Sequence, residues 1–460
     1  MKLGAKQVVS DLRAFDARAR GVEDSLVFDG VSTDSRTDVA GTLFVALRGE
    51  RFDAHDFVEA AVERGARGVL VDTSTWERWQ ALPVCCIATS DTLASLQQLA
   101  SASLRHHPST VVAITGSNGK TTTKDLTRAA LQPLGAVWGT RGNLNNHIGV
   151  PLTVLQRGGD EPYGVVEVGA NDFGEIEMLS TLLSPRVGMI TNVGRAHLER
   201  FGSLDGVLRA KSELFRGLEP DGIAVLNADD AYLAAQRAAA AHCARTVTFG
   251  FAPSSDYRIE TIESDGPEGQ TLFVNGTRLS TSRPGAANAR NVAAAFAVAR
   301  ELGAEKDAVA QAVAACRFTQ QRSAWQRVGD VWVLDDSYNA NPDSMLQAVA
   351  LLRTHEGRRI AVLGDMLELG DAAATLHAEL GAHLATSGVA LLFASGDAMR
   401  HAVCAARDAG MADAAQHFAS FEALVEALRG ALRPGDAVLV KGSRGSRMER
   451  VVSALHTEVT

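Results

Sequence analysis

Short apolar runs separated by amphipathic stretches organise this chain. The runs at 111–115, 165–168, 186–192 and 223–227 are rich in valine and isoleucine and bounded by glycine or polar residues. That is the pattern of strands buried on both faces. The stretches between them place apolar residues three or four positions apart, as helices packed on one side do. Such alternation predicts a mostly parallel sheet with crossover helices. It resumes after about 318, with strands over 331–335, 360–364, 389–394 and 437–440 and helices over 344–353, 372–387, 421–431 and near 397–409. Ahead of residue 90 the strands are shorter, at 43–47, 69–72 and 84–87, beside a helical stretch over 55–65. Residues 244–283 read differently: turn formers such as Asn275-Gly276 separate strand-like pieces, so a β excursion at the edge of the central sheet is expected. An alanine-rich helix over 286–302 follows.

The run at 111–115 leads into Gly116-Ser117-Asn118-Gly119-Lys120-Thr121-Thr122. Strand, glycine loop and helix in that order make a phosphate cradle. Glycines let backbone amides approach phosphate oxygens, and the following helix aims its positive end at the same anion. Lys120 can reach the terminal phosphates, and the Thr121 hydroxyl can join a Mg²⁺ shell. The spacing is G-x-x-G-K-T, shorter than the usual loop, because Ile114 stands where the longer motif has its first glycine. The expected architecture is therefore α/β, with a small α/β N-terminal domain, a central domain like a P-loop ATPase with a mostly parallel sheet, and a C-terminal Rossmann-like domain lacking a glycine fingerprint.

Composition narrows the class. At 460 residues the chain has room for roughly three domains of ~150 residues, and 46% apolar content supports full cores. A formal net charge of −9 argues against nucleic acid or an anionic membrane as the main partner. No apolar stretch follows Met1-Lys2 and no run approaches ~20 residues, so a cytoplasmic chain without membrane insertion is expected. Five cysteines without metal-type spacing read as reduced thiols.

Chemistry-bearing residues recur just after strands. Glu167 ends one, Asn192 another, and His197 follows five residues later, so all three belong on the rim that carries the phosphate loop. A carboxylate with a threonine hydroxyl suits Mg²⁺, which prefers oxygen ligands; His197 could equally hold a water or a phosphate. Lys211 interrupts an apolar stripe of Leu204, Val207, Leu208, Leu214 and Phe215. A lysine so placed either snorkels to water or, desolvated, becomes partly neutral and able to take up CO₂ as a carbamate. In the last third, DDSYNANPDSM (335–345), GDMLELG (364–370) and VKGSR (440–444) follow strands and read as ligand-facing loops. Asp336 stands where it can accept from ribose hydroxyls.

These motifs, with STDSR (32–36), GTLFVALRGERFDAHDF (41–57), GNLNNHIGVPLTVL (142–155), EVGAN (167–171), NVGRAHLERFGS (192–203) and AKSELF (210–215), resemble the Mur ligase family over essentially the whole chain. GSNGKT alone would mark only the wider superfamily that includes folylpolyglutamate synthetases. DDSYNANPDSM with GDMLELG is similar to the branch that adds D-alanyl-D-alanine to a UDP-N-acetylmuramoyl-tripeptide. The resemblance implies a UDP-sugar domain over 1–91, an ATP-binding domain over 92–317 and a Rossmann-like domain over 318–460. It implies ATP at 116–122, adenine, γ-phosphate and ribose held by Asn291, Arg322 and Asp336, and two Mg²⁺, one on Thr121 and Glu167, the other near His197 and carbamylated Lys211. Asp34, Ser35, Arg36, Asn145, Asn146, Asn339 and Lys441 would serve the substrates, with Lys120, His197 and Lys211 catalytic. A monomer acting on small molecules is expected. The third tripeptide residue, diaminopimelate or lysine, stays open. The rival readings are a sibling amino-acid ligase and a nonligase P-loop ATPase or kinase. Three positions depart from the family pattern: Ala54 and Gln321 stand where glycine is usual, and Ala287 where histidine is.

Overall fold

The computed structural model describes residues 1–49 and 52–457. Glu50 and Arg51, within the 41–57 motif, and residues 458–460, at the end of the third expected domain, lie outside the described residues. The chain is α/β throughout and builds three main sheets in sequence. The first has five strands in the order Arg18–Arg20, Cys85–Thr89, Gly68–Asp72, Leu43–Val45 and Val31–Ser32; only its outermost pair, Arg18–Arg20 with Cys85–Thr89, is antiparallel. A short antiparallel pair, Leu3–Gly4 with Val27–Phe28, sits beside it. The stretch expected as a helix over 55–65 is a 3-10 turn, Ala54–Phe57, running into the helix Val58–Glu63. Asp53 caps that turn by accepting from the His55 amide at 3.0 Å.

The helix Thr92–His106, capped by the Asp91 side chain, leads to a nine-stranded sheet. From Val137–Gly139 through Tyr163–Glu167, Thr110–Thr115, Val187–Ile190, Ile223–Asn227 and Arg245–Gly250 to Tyr257–Ser264, every neighbouring pair is parallel. Gln270–Val274 and Thr277–Thr281 then add antiparallel strands at the edge, the excursion that the turn formers predict. Val111, Val112, Ala113 and Ile114 are all fully or nearly fully buried, as a strand covered on both faces requires. Burying each such Val or Ile stabilises by roughly 1.5–3 kcal/mol. The alanines of Ala286–Glu301 let that helix lie close on Lys120–Leu131.

The third sheet orders Ala324–Val328, Val331–Asp336, Ala437–Lys441, Arg359–Gly364, Leu391–Ser395 and Ala415–Phe418, parallel except for the first pair. One local reading needs correction. The helix over the Lys211 stripe is α-helical only through Leu204–Ser212 and tightens to a 3-10 turn over Glu213–Gly217, so Leu214 and Phe215 belong to the turn. No described helix is long and apolar enough to cross a membrane.

Candidate active site

The carboxyl ends of the central strands and those of the third sheet face one cavity of about 990 Å³. At its floor, the strand Thr110–Thr115 ends and the helix Lys120–Leu131 begins after four residues. Gly116 (φ 141°) and Gly119 (φ 81°) take backbone conformations that other residues avoid. A Cβ at Gly116 would collide with Thr191 Oγ1, and one at Gly119 would come within 2.7 Å of Asn291 Oδ1. Asn192 clamps the loop, accepting from the Asn118 amide at 3.0 Å and donating to its carbonyl at 2.9 Å. Ser117 Oγ donates to the Gly194 carbonyl and accepts from the Gly194 amide. Lys120 Nζ folds back to donate to the Gly116 carbonyl at 2.7 Å. Burial lowers its ammonium pKa and Arg322 adds to the fall, while Glu167 opposes it.

Beside the loop, Thr121 Oγ1 donates to Glu167 Oε2 at 2.8 Å, and Asn145 Nδ2 donates to Glu167 Oε1 at 2.9 Å. Glu167 is buried, with its amide fixed to Thr140 Oγ1. Asn145, read from the sequence as a substrate residue, thus stands against the carboxylate read as a metal ligand. Asn146 Oδ1 accepts from the Ile148 and Gly149 amides, a local turn that starts the helix Gly149–Leu155.

Lys211 is only 1% exposed, so it does not snorkel. Among the described residues its Nζ has no hydrogen bond or ion pair; it lies 5.8 Å from the centre of the Phe201 ring. Burial, then repulsion from Lys120, brings its pKa down to about 7, against the opposing pull of Glu213 and Glu175. His197 lies across the edge of the same Phe201 ring, centroids 6.2 Å apart, and its Nδ1 pairs with Glu368 of the third domain. The hydrogen bond from His197 holds the Glu368 carboxyl below the usual range. Among the described residues, no three His, Cys, Asp or Glu side chains gather into an ion cage. The residues nevertheless fit a nucleotide-bound Mg²⁺: a hydroxyl and a buried carboxylate already in register, and a desolvated lysine lining the same cavity, with phosphate oxygens to supply the rest.

The third domain forms the opposite wall. Arg322 lies 3.9 Å over the Tyr338 ring, with Arg444 5.6 Å from the same ring. Asp336 is less free than its strand-end position suggested: it accepts from the Ser323 amide at 2.8 Å and pairs with the buried Lys441, which also donates to the Asn339 carbonyl at 2.9 Å. Asn339 Oδ1 accepts from the adjacent Ala340 amide, the turn-forming role open to any asparagine here. Asn341 caps the helix Pro342–Leu352 and reaches across to donate to Asn118 Oδ1 at 2.8 Å. Arg195 donates to Asp343 through its backbone at 2.6 Å and through Nε at 2.9 Å.

Of the residues singled out from sequence, Ser117, Asn118, Gly119, Lys120, Thr122, Asn145, Asn146, Glu167, His197, Lys211, Asn291, Arg322, Asp336, Asn339 and Lys441 line this cavity. Gly116 and Thr121 adjoin it through the loop and Glu167. Asp34, Ser35 and Arg36 do not line it. They form a separate polar corner on the first domain, where Arg36 donates twice to Asp34 from its side chain, holding the Asp34 carboxyl down at about 2. Asn291 stands against Gly119 and donates to Asn288 Oδ1 at 3.3 Å, with Ala287 among the lining residues. Sequence reasoning marked the loops carrying Glu368 and Arg444 but not these two side chains, and it passed over Tyr338.

Comparison with known proteins agrees with this layout. Family models match in sequence order: the Mur ligase family catalytic domain over 27–103, the Mur ligase middle domain over 114–299 and the Mur ligase glutamate ligase domain over 317–444. The UDP-N-acetylmuramoyl-tripeptide–D-alanyl-D-alanine ligase of Bacillus subtilis (strain 168) is 36% identical over 437 residues, covering 94% of both chains. That of Escherichia coli (strain K12) is 37% identical, covering 95% of both. MurF from Acinetobacter baumannii superposes with a TM-score of 0.90 at 30% identity, over 100% of this chain and 99% of that one. MurF ligase from Thermotoga maritima in complex with ADP does so with 0.81 at 27% identity, over 94% and 97%. With its phosphate loop, three-sheet order and full-length likeness in agreement, the chain belongs to the Mur ligase family.

Proposed function

We propose that this chain is an ATP-dependent amide ligase that joins D-alanyl-D-alanine to UDP-N-acetylmuramoyl-tripeptide, acting in the cytoplasm as a monomer. One observation carries the reading. The phosphate loop of the central domain and the Arg322, Asp336 and Lys441 cluster of the third domain face each other across one cavity of about 990 Å³. Full-length likeness to ligases of that name selects the substrates.

A carboxylate is a poor acyl donor because O²⁻ cannot leave. Transfer of the γ-phosphoryl group to the terminal carboxylate of the tripeptide gives an acyl phosphate and ADP. The dipeptide amine then attacks the carbonyl carbon, phosphate departs and the nitrogen loses a proton. The protein's part is positioning and charge compensation. Lys120, once a nucleotide draws it off the loop carbonyls, offsets the β- and γ-phosphate charge. Arg322, backed by Tyr338, faces the γ-phosphate, while Asn291 and Asp336 hold adenine and ribose. Thr121 and Glu167 would hold one Mg²⁺, and His197 with carbamylated Lys211 a second, supplying further neutralisation of phosphate charge. Asp34, Ser35, Arg36 and Asn146 hold the UDP-muramoyl end, and Asn339 and Lys441 shape the acceptor side. Residues 1–91, 92–317 and 318–460 take the sugar nucleotide, ATP and the amine in turn.

Incubation with ATP, Mg²⁺, D-alanyl-D-alanine and UDP-tripeptides ending in diaminopimelate or lysine, with products read by mass spectrometry, tests this. A UDP-pentapeptide formed in step with ADP and phosphate is expected. Single amino acids joined in preference to the dipeptide, or ATP hydrolysis without amide formation, would overturn it in favour of a sibling ligase or an ATPase.

A further inference from the structure

His197 and Glu368 share an unusual backbone property: each has a left-handed conformation (φ 53° and 62°) without being glycine. Such conformations are costly and persist where the surroundings impose them. The two residues belong to different domains and meet each other. His197 Nδ1 pairs with Glu368 Oε2, and the Glu199 amide donates to the Glu368 carbonyl at 3.1 Å.

Both sides of the pair are held. The Met366 amide donates to Nε2 of the buried His377, whose Nδ1 in turn faces the Ala373 carbonyl at 2.7 Å. The Leu367 amide donates to Ser443 Oγ at 2.9 Å. The two residues before Glu368 are thus pinned to the third domain. On the central side, His197 packs edge-on to Phe201, the ring that also faces Lys211. An imidazole that donates from Nδ1 to a carboxylate keeps a lone pair on Nε2, which is the form that binds a cation. Metal-binding histidines are commonly fixed in this way by a carboxylate behind them.

An interdomain ion pair alone would be a simpler account, but it explains less. Pairs this exposed contribute little to holding surfaces together, and Arg195 with Asp343 already makes a two-point connection between the same domains. Neither consideration calls for two strained residues to face each other across the seam.

We propose that Glu368 is a positioning residue: its carboxylate, delivered by the third domain, sets the tautomer and direction of His197, so that the cation site is completed only when the central and third domains are docked. This rests on the reading of His197 as a cation ligand given above.

The test is Mn²⁺ affinity in the presence of saturating ADP, read from the free-Mn²⁺ electron paramagnetic resonance signal, with circular dichroism to verify folding. Glu368→Ala should weaken Mn²⁺ binding about 10- to 100-fold, the usual penalty for losing the partner of a metal-bound histidine. Glu368→Gln, which can still accept from Nδ1, should fall between that variant and the wild type. Glu379→Ala, which removes another Arg195 contact across the same seam, should bind Mn²⁺ as the wild type does. Unchanged or tighter binding by Glu368→Ala, or equal weakening by Glu368→Ala and Glu379→Ala, would overturn the proposal. His197→Ala separates the two levels. If it binds Mn²⁺ normally, the ligand role of His197 fails and this inference fails with it; if it binds weakly while Glu368→Ala binds normally, only the role of Glu368 is lost.

Discussion

Replacing Lys211 with methionine should stabilise the central domain while abolishing ligation. The side chain is 1% exposed and its amine has no hydrogen-bond partner among the described residues. Methionine is similar in length, unbranched and apolar, so it can occupy the same channel without opening a cavity. The size of the effect follows from the depressed pKa. A fall from 10.5 to about 7 corresponds to about 5 kcal/mol at ~1.4 kcal/mol per pH unit, an upper limit because local relaxation and water entry relieve part of it. The sign depends on pH. Below about 7 the amine is charged in both folded and unfolded chains, and the full penalty falls on the fold. Between about 7 and 10.5 the unfolded chain holds a proton that the folded chain has shed, so wild-type stability rises with pH. The variant lacks this dependence. Its advantage should therefore be several kcal/mol at pH 6.5 and smaller by about 3 kcal/mol at pH 9.5. A chain of three domains need not unfold in two states. Urea unfolding is therefore best followed by pulsed hydrogen exchange on peptides covering Val187–Ile190 and Ile223–Asn227, in buffer stripped of CO₂. A methionine variant no more stable than wild type at pH 6.5, or an advantage equal at both pH values, would refute the reasoning that Lys211 is a desolvated amine.

Lys120→Ala should leave the fold intact but lower ligation by ~10²-fold or more, because it removes charge compensation needed as phosphate transfers; near wild-type turnover would count against the phosphate-loop assignment. Gln321→Gly should raise stability to urea by about 0.5–1 kcal/mol, the relief of a left-handed residue (φ 63°) less the extra chain entropy of glycine; a loss of stability would show that the Gln321 side chain matters more than its backbone. Tyr338→Leu should raise KM for ATP several-fold with kcat less affected, and Tyr338→Phe should restore it, since the ring face and not the hydroxyl supports Arg322; equal defects in both would point instead to the hydroxyl. Lys211→Arg should be as inactive as Lys211→Ala, and short carboxylic acids should restore part of the activity of the alanine variant; normal ligation by Lys211→Arg would exclude the carbamate.

The strands that were legible in the sequence are those buried on both faces. Thr110–Thr115, Tyr163–Glu167 and Arg359–Gly364 are continuous apolar runs, and a run of that length has few other ways to be buried. Edge strands left weaker traces. Arg18–Arg20 is exposed at all three positions, and Ala324–Val328 is fully buried only at its ends. With half or less of the strand in the core, the apolar signal falls to the level of a loop. The site divides in the same way. The phosphate loop is contiguous in sequence, so its order alone revealed it. Lys211 was visible because it broke a stripe, though the stripe could not say whether the amine reached water. Asn341 meeting Asn118, 223 residues away, depends on how two sheets dock, which no local period encodes. Glu368 sits between Leu367 and Leu369 in a loop, where a single acidic residue carries no periodic signal.

The distribution of backbone strain connects these cases. Among the described residues, eight other than glycine have positive φ, and four of them, His197, Gln321, Ser323 and Glu368, flank the seam between the central and third domains. Left-handed conformations at such residues cost of order 1–3 kcal/mol each. With half of these strained residues at one seam, docking of the third domain costs more than its polar contacts alone imply. Gln321 and Ser323 lie on either side of Arg322, which lines the cavity; His197 and Glu368 bring a ring and a carboxylate together on its wall. Each strained residue therefore is, or adjoins, a residue that lines the cavity. The same strain weakens the docked arrangement once no ligand bridges it. A ligase that must admit three reactants and release three products gains from such a seam, because binding energy from the nucleotide can offset the strain on closing and its loss on product departure favours reopening. The lining residues belong to well-separated stretches of sequence, but this balance is set by backbone angles at positions such as Gln321.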